Sequence, residues 1–201
     1  ACDRVMAAIE SYQPAIKQYA CAEVTVIMTS AVRDASNGKT FAERIHTRYD
    51  YPSLIISGTQ EAALTFTGVT SSLATAEQTA VLDIGGGSTE IIIGKDSLIN
   101  FSTSLQLGVI RQQERHLKHH QPTTDELNQL RDEIKTLLAT NIPTDLSDQT
   151  TAAIAVAGTA TSLAAIDQQL TTYDPAKVHG YELSSQRVLE LADDLLAVAL
   201  P

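Results

Sequence analysis

The chain has 201 residues, 43% of them hydrophobic, which is enough for one sizeable core or two small ones. Its net charge of −10 excludes the basic footprint that nucleic-acid binding needs, and no apolar run approaches the roughly 18 residues of a membrane span. These totals predict a cytoplasmic globular protein without nucleic-acid or membrane partners. An anionic substrate is still compatible with them, because backbone N–H groups bind phosphate without a net positive charge.

The first part of the chain alternates between helical and extended patterns. Helical spacing of apolar residues and runs of β-branched residues are the signals used here. They predict a helix, a strand, a helix, a strand and a helix over residues 4–19, 24–28, 36–48, 54–56 and 59–68. The small polar residues at 71–79 indicate a hinge.

The second part continues the alternation after one unusual turn. A buried strand over 80–84 runs into three glycines, and a hairpin over 90–101 follows directly. A helix would follow the glycines in a doubly wound dinucleotide-binding sheet, so that fold is disfavoured. Beyond the hairpin, the pattern predicts helices over 107–117, 123–140, 161–170 and 185–200 and a strand over 152–156, with a capping box at Thr123 and Glu126. The whole chain is therefore of the α/β class.

Three histidines, His116, His119 and His120, lie in a polar tract after the 107–117 helix. This tract is either a metal site or the solvated end of a helix, and the residues alone leave both interpretations open.

The segment Asp83-Ile84-Gly85-Gly86-Gly87-Ser88-Thr89-Glu90 carries the strongest chemical signal. Glycines permit positive φ and a close approach of the backbone to an anion, and consecutive N–H groups form a concavity for phosphate oxygens. Ser88 and Thr89 add hydroxyl donors. Carboxylates at both ends, Asp83 and Glu90, are repelled by a phosphate unless a cation lies between them, and Mg²⁺ suits that position. The alternative is a tight β-turn that happens to use glycines.

The same segment resembles the second phosphate loop of the exopolyphosphatase/guanosine pentaphosphate phosphohydrolase (Ppx/GppA) family, in the actin-like ATPase superfamily. Other stretches match that family in the same order along nearly the whole chain. They are 29–35 (Thr-Ser-Ala-Val-Arg-Asp-Ala), 56–64 (Ile-Ser-Gly-Thr-Gln-Glu-Ala-Ala-Leu), the positions Ser104, Gly108, Arg111 and Glu114, and the segments 157–161 and 178–180.

The resemblance implies two ribonuclease-H-like lobes with a cleft between them. Residues 1–70 would form part of the first lobe, 71–79 the hinge and 80–201 the second lobe with its phosphate loop. The family's first phosphate loop is not found in this sequence, so the first lobe is expected to be incomplete.

The resemblance also implies an activity, the removal of a terminal phosphate from polyphosphate or guanosine pentaphosphate by Mg²⁺-assisted attack of water. A homodimer is a further expectation. Two alternative functions remain: a non-catalytic polyphosphate or alarmone sensor, and an actin-like kinase or ATPase. ATP dependence would distinguish the kinase, and binding without turnover would distinguish the sensor.

Glu61 is the implied general base, since a carboxylate can orient and deprotonate the attacking water. The family has two adjacent glutamates here, whereas this chain has Gln60 before Glu61. The alternative is an ordinary first-turn glutamate favoured by the helix dipole.

Four further residues are candidate phosphate contacts. Arg33 can clamp a phosphate, with Ser30 adding a hydroxyl, or it can pair with Asp34 or another carboxylate. Gly158 and Thr159, where a strand meets a helix, either bind an anion or are only structural. Ala157 stands where the family often has glycine.

Overall fold

A computed structural model describes residues 1–73 and 77–197, which divide into two compact units, Ala1–Glu61 and a second that begins at Ala62. The division lies earlier in the chain than the predicted hinge at 71–79. Ser71 and Ser72 complete a helix, Thr79 begins a strand, and the 74–76 part of the hinge lies outside the described residues. The hinge stays a prediction.

The first unit is a short βαβ arrangement preceded by a helix. Its elements are α1 (Cys2–Gln18), β1 (Val26–Met28), α2 (Ser30–Arg33), α3 (Gly38–Tyr49) and β2 (Ser53–Ile55). The two strands pair in parallel, as the intervening helices require. A core of Met6, Met28, Phe41, Ala42 and Ile45 joins the helices to β1. The helix α4 (Gly58–Ser72) begins at the end of this unit.

The second unit is built on a four-stranded sheet in the order β5-β4-β3-β6. Its strands are β3 (Thr79–Ile84), β4 (Thr89–Lys95), β5 (Leu98–Leu105) and β6 (Ala152–Val156). The β3–β4 pair is antiparallel, so the sequence was correctly interpreted as strand, glycine turn and strand. The helices are α5 (Val109–His116), α6 (Thr124–Asn141), α7 (Thr144–Gln149), α8 (Ala157–Asp167), α9 (Pro175–Val178) and α10 (Ser185–Ala197).

The two faces of this sheet are packed differently. On the first, called the packed face, Val81 and Ile92 are fully buried beneath Phe66 of α4. On the second, called the open face, Ile91 and Leu105 are also buried, but the α6 residues that pack against them, such as Ile134, are only partly buried. Because side chains alternate along a strand, the same strands supply both faces.

Helix α6 begins with the predicted capping box. Glu126 N–H donates to Thr123 Oγ1 (3.3 Å), and Thr123 N–H donates to Glu126 Oε2 (2.8 Å). The N–H of Lys118 and the ring of His119 also contact Glu126 Oε1. Hydrogen bonds from the Thr123 and Lys118 backbone, then from His119, lower the pKa of Glu126 from its ordinary 4.5 to about 2. The cap is therefore held by an ionised carboxylate.

Several element boundaries differ from the sequence predictions. Helix α8 begins at Ala157, earlier than the predicted start at 161, so Gly158 and Thr159 lie in its first turn. Short helices α2, α7 and α9 were not predicted, since four to six residues carry too little periodicity. Across the described residues, no helix is both long and apolar enough to cross a membrane.

Candidate functional site

Strand β3 carries Asp83 to the start of the glycine loop, where it pairs directly with Glu90 of β4. Residues opposite each other in an antiparallel pair project from the same face, so both carboxylates lie on the packed face. The hydroxyl of Thr65 in α4 donates to Asp83 Oδ2 at 3.1 Å. Two adjacent carboxylates at one end of a phosphate-type loop form an oxygen-rich set that suits a hard cation.

Glu90 is anchored from two sides by serine hydroxyls. Its residue is 1% exposed, and its Oε1 accepts from Ser88 Oγ at 2.9 Å and from Ser104 Oγ at 2.6 Å. Thr89 points to the open face, where its hydroxyl donates to the carbonyl of Leu107 at 3.0 Å. The end of the loop is thus fixed to β5 and to the segment after it.

The carbonyls of the three glycines all turn toward helix α5. Gly85 O accepts from Val109 N–H (2.9 Å), Gly86 O accepts from Ile110 N–H (3.0 Å), and Gly87 O accepts from Arg111 Nε (2.7 Å). In a trans peptide the carbonyl and the following N–H point in opposite directions. The N–H groups of Gly86, Gly87 and Ser88 therefore point away from α5, as a concavity for an anion requires.

Gly85 and Gly86 do not adopt the positive φ that glycine permits, whereas Gly180 does, with φ of +73°. A Cβ on Gly86 would meet only Ile110 at 3.4 Å, so the fold itself does not demand glycine there. A Cβ on Gly108, by contrast, would lie 2.3 Å from backbone atoms of Gly86 and Gly87. Gly108 therefore lets α5 contact the loop, whereas a side chain on Gly86 would contact Ile110 of α5.

In the first unit, Arg33 and Glu61 form an ion pair. Arg33 Nη1 donates to Glu61 Oε2 at 3.0 Å and to the carbonyl of Ile56 at 2.9 Å. Both side chains are largely shielded, at 21% and 15% exposure. Of the alternatives weighed for Arg33, pairing with a carboxylate is observed, and the partner is the candidate base. The guanidinium has five N–H donors, and both of these contacts use Nη1.

Gln60 helps to cap the N-terminus of helix α4. Its Oε1 accepts from Ser57 N–H at 2.9 Å, and Gln60 N–H donates to Ser57 Oγ at 3.2 Å. This is a capping box with Ser57 as the N-cap of α4. A glutamine does this as well as a glutamate, so the departure from the family's paired glutamates leaves Glu61 as the carboxylate of this turn.

Ser30 is 4% exposed, and its hydroxyl contacts Asp34 Oδ2 at 3.4 Å. It lies in α2, the same helix that carries Arg33. Whether it binds phosphate stays a prediction.

Thr159 lies near the end of β3, and its hydroxyl donates to the carbonyl of Ile84 at 3.3 Å. Gly158 is exposed in the same helical turn. Ala157, just before them, has φ of +68°, a left-handed conformation that glycine adopts far more easily. The alanine therefore strains the turn from β6 into α8.

Two of the three histidines in the tract, His116 and His119, have carboxylate partners. His116 contacts Glu133, which also pairs with Arg115, and His119 contacts Glu126. Within residues 1–73 and 77–197, no group of three or more His, Cys, Asp or Glu side chains could hold a metal ion. The metal interpretation of the tract has no support from this geometry.

Three residues of the loop's surroundings were missed as functional candidates: Thr65, Ser104 and Arg111. Ser104 and Arg111 were recognised only as matching positions, although both hold the loop. Thr65 lies one turn after Glu61 in α4, and that spacing is the signal that could have identified it.

Comparisons with known proteins identify the family of the chain. The model of the Ppx/GppA phosphatase family matches residues 1–199. The chain is 29% identical to "Exopolyphosphatase 2" of Mycobacterium tuberculosis, over 97% of this chain and 63% of that protein. It is 34% identical to "Guanosine-5'-triphosphate,3'-diphosphate pyrophosphatase" of Vibrio atlanticus, over 58% of this chain and 23% of that protein.

A solved structure gives the same result for the fold. The exopolyphosphatase from Cytophaga hutchinsonii superimposes with a TM-score of 0.87 at 27% identity, over 98% of this chain and 64% of that one. The chain thus spans slightly less than two thirds of the length of these exopolyphosphatases. The α/β fold and the motif-based resemblance are confirmed.

Proposed function

The chain belongs to the Ppx/GppA phosphatase family, and we propose that its protein hydrolyses the terminal phosphoanhydride bond of inorganic polyphosphate, of guanosine pentaphosphate, or of both. The observation that carries the proposal is the direction of the glycine-loop carbonyls. With Gly85, Gly86 and Gly87 bonded to α5, the following N–H groups are oriented to bind phosphate oxygens. The named activities of the relatives support the substrate class.

In this proposal Glu61 orients and deprotonates the attacking water. Its carboxylate is held by Arg33 at 3.0 Å, which fixes its position at the start of α4. Arg33 is therefore assigned first as a positioning residue, and its other N–H groups suit a phosphate oxygen. The loop N–H groups would stabilise the charge that develops on the terminal phosphate.

Asp83 and Glu90 are proposed to hold Mg²⁺. Their shared face and the surrounding hydroxyls make an oxygen donor set that fits this ion. Bound Mg²⁺ would neutralise the negative charge of the phosphate next to the two carboxylates.

Ser30, Gly158 and Thr159 are proposed as further phosphate contacts. We also propose that the protein forms a homodimer.

The decisive experiment measures phosphate release from long-chain polyphosphate, with and without Mg²⁺, by the protein at its full natural length. Glu61→Gln should reduce Mg²⁺-dependent release by about 10²- to 10⁴-fold, the usual contribution of a general base. Glu43→Gln, an exposed glutamate on α3, is the matched control and should leave release unchanged.

Each result has a distinct meaning. Release that survives Glu61→Gln would remove Glu61 as the base. Polyphosphate binding without release by the unmodified protein would favour the sensor, and a requirement for ATP would favour the kinase.

A further inference from the structure

Thr65 of helix α4 hydrogen-bonds to a carboxylate outside its own helix. Its hydroxyl donates to Asp83 Oδ2 at 3.1 Å, across 18 positions of the chain. Other hydroxyls of α4 donate to a backbone carbonyl three or four residues earlier, as is common on helices; they belong to Thr67, Thr70, Ser71 and Ser72. Thr65 thus differs from its neighbours in α4, because its hydroxyl contacts the candidate site.

The core fixes the backbone on both sides of this hydrogen bond. Phe66, next to Thr65, is 1% exposed, and Ala62, three residues before Thr65, is fully buried. Both belong to the same core cluster as Val81, which precedes Asp83 by two residues on the same face of β3. The position of the Thr65 hydroxyl relative to Asp83 is therefore set by tightly packed elements, as accurate placement of a ligand group requires.

The two carboxylates of the candidate site are held from different directions. Glu90 accepts hydrogen bonds from Ser88 of the loop and from Ser104 of β5, whereas Asp83 accepts from the helix. An ionised carboxylate has about four acceptor sites, so one hydroxyl can orient its plane and leave sites for a cation. The contact from Thr65 is therefore compatible with metal binding by Asp83.

We propose that Thr65 is a positioning residue whose hydroxyl holds the Asp83 carboxylate in the orientation that binds Mg²⁺. This inference rests on the proposed function, in which Asp83 and Glu90 hold the ion. Hydrogen-bond partners of metal-binding side chains contribute to affinity, and their loss typically costs about 10- to 100-fold. Thr65 acts through Asp83, so its loss weakens Mg²⁺ binding and leaves turnover at saturating Mg²⁺ close to that of the unmodified protein.

The test compares Thr65→Val with Thr65→Ser in the protein at its full natural length. Valine keeps the branched shape without a hydroxyl, and serine keeps the hydroxyl. The measurements are calorimetric titration with Mg²⁺ in the absence of substrate, and the Mg²⁺ concentration that gives half-maximal phosphate release from long-chain polyphosphate. Thr65→Val should raise the dissociation constant and the half-maximal concentration about 10- to 100-fold, and Thr65→Ser should restore most of the loss. Thr67→Val, which removes an exposed hydroxyl from the same helix, is the matched control and should change neither value.

Asp83→Asn separates the failure of this inference from the failure of the proposed function. Mg²⁺ binding that survives Asp83→Asn, or no Mg²⁺ binding by the unmodified protein, would refute the proposed metal site and this inference with it. Loss of binding in Asp83→Asn together with unchanged binding in Thr65→Val would overturn the role of Thr65 alone. So would weaker binding by Thr65→Val that Thr65→Ser does not restore, because Thr65 would then act through packing.

Discussion

The packed face and the open face belong to the same four-stranded sheet but differ in what packs against them. On the packed face, Phe66, Val81 and Ile92 have almost no accessible surface. The carboxylates of Asp83 and Glu90 project from the same face, two residues farther along β3 and β4. On the open face, α6 leaves a cavity of about 710 Å³, and Ala153 and Ala155 of β6 are exposed. The more tightly packed face thus carries the candidate carboxylates Asp83 and Glu90, and accurate placement of catalytic groups requires such support.

The largest expected effect tests this packing difference directly. Phe66→Ala should lower the free energy of unfolding by about 3–5 kcal/mol, because it removes a ring that is 1% exposed. Leu138→Ala on the open face should cost about 2 kcal/mol or less, because Leu138 is half-buried and already borders empty space. Urea unfolding of both variants gives the comparison, and equal losses would contradict the distinction between the faces.

A second comparison contrasts two glycines that contact each other. Gly108→Ala should cost about 1–3 kcal/mol, because its Cβ would overlap the backbone of Gly86 and Gly87 and push α5 away. Gly86→Ala should change the free energy of unfolding by less than about 0.5 kcal/mol. Unfolding curves for both variants check this, and equal losses would contradict the difference between the two glycines.

The open face should also be more sensitive to acid, because α6 is held by an ionised cap. The folded-state pKa of Glu126, about 2, is below its ordinary 4.5. The cap's contribution is therefore fully present above pH 4.5 and is lost as the pH falls toward 2. In Glu126→Gln, the decline in stability between these pH values should be shallower, measured by chemical unfolding at several pH values.

Thr123→Ala is the control for that experiment. It removes the neutral half of the same cap, so it should cost about 1 kcal/mol at neutral pH and leave the slope of the acid decline in place. An unchanged acid decline in Glu126→Gln would show that other carboxylates dominate.

The smallest expected effect on the free energy of unfolding concerns the turn between β6 and α8, at the edge of the sheet. Ala157→Gly should stabilise the protein by about 0.5–1 kcal/mol, the relief of left-handed strain minus the larger unfolded-state entropy of glycine. Ala160→Gly, inside α8, should have the opposite sign. Thermal unfolding of the pair tests this, and destabilisation by both would mean that Ala157 is not strained.

Local signals predicted much of this molecule. The capping box at Thr123, the strand–glycine–strand turn and the segment around Glu61 depend on neighbouring residues, and all three are readable in the sequence. The pairing of Arg33 with Glu61 is not, because it joins side chains 28 positions apart through tertiary structure. The cavity was also hidden, since the apolar spacing of α6 indicates which side is buried but not how tightly it packs. Similarly, three glycines indicate an accessible loop without revealing which way its carbonyls turn.

The cap formed by Ser57 and Gln60 bears on how such motifs change over time. The helix cap requires only an oxygen at position 60 that accepts a hydrogen bond from the Ser57 N–H. The ion pair with Arg33 requires a negative charge at position 61. Glutamine and glutamate can therefore exchange at position 60 under selection for helix initiation alone. Two neighbouring positions of one motif can therefore change at independent rates during evolution. Where a relative has two adjacent glutamates at these positions, both need not take part in catalysis.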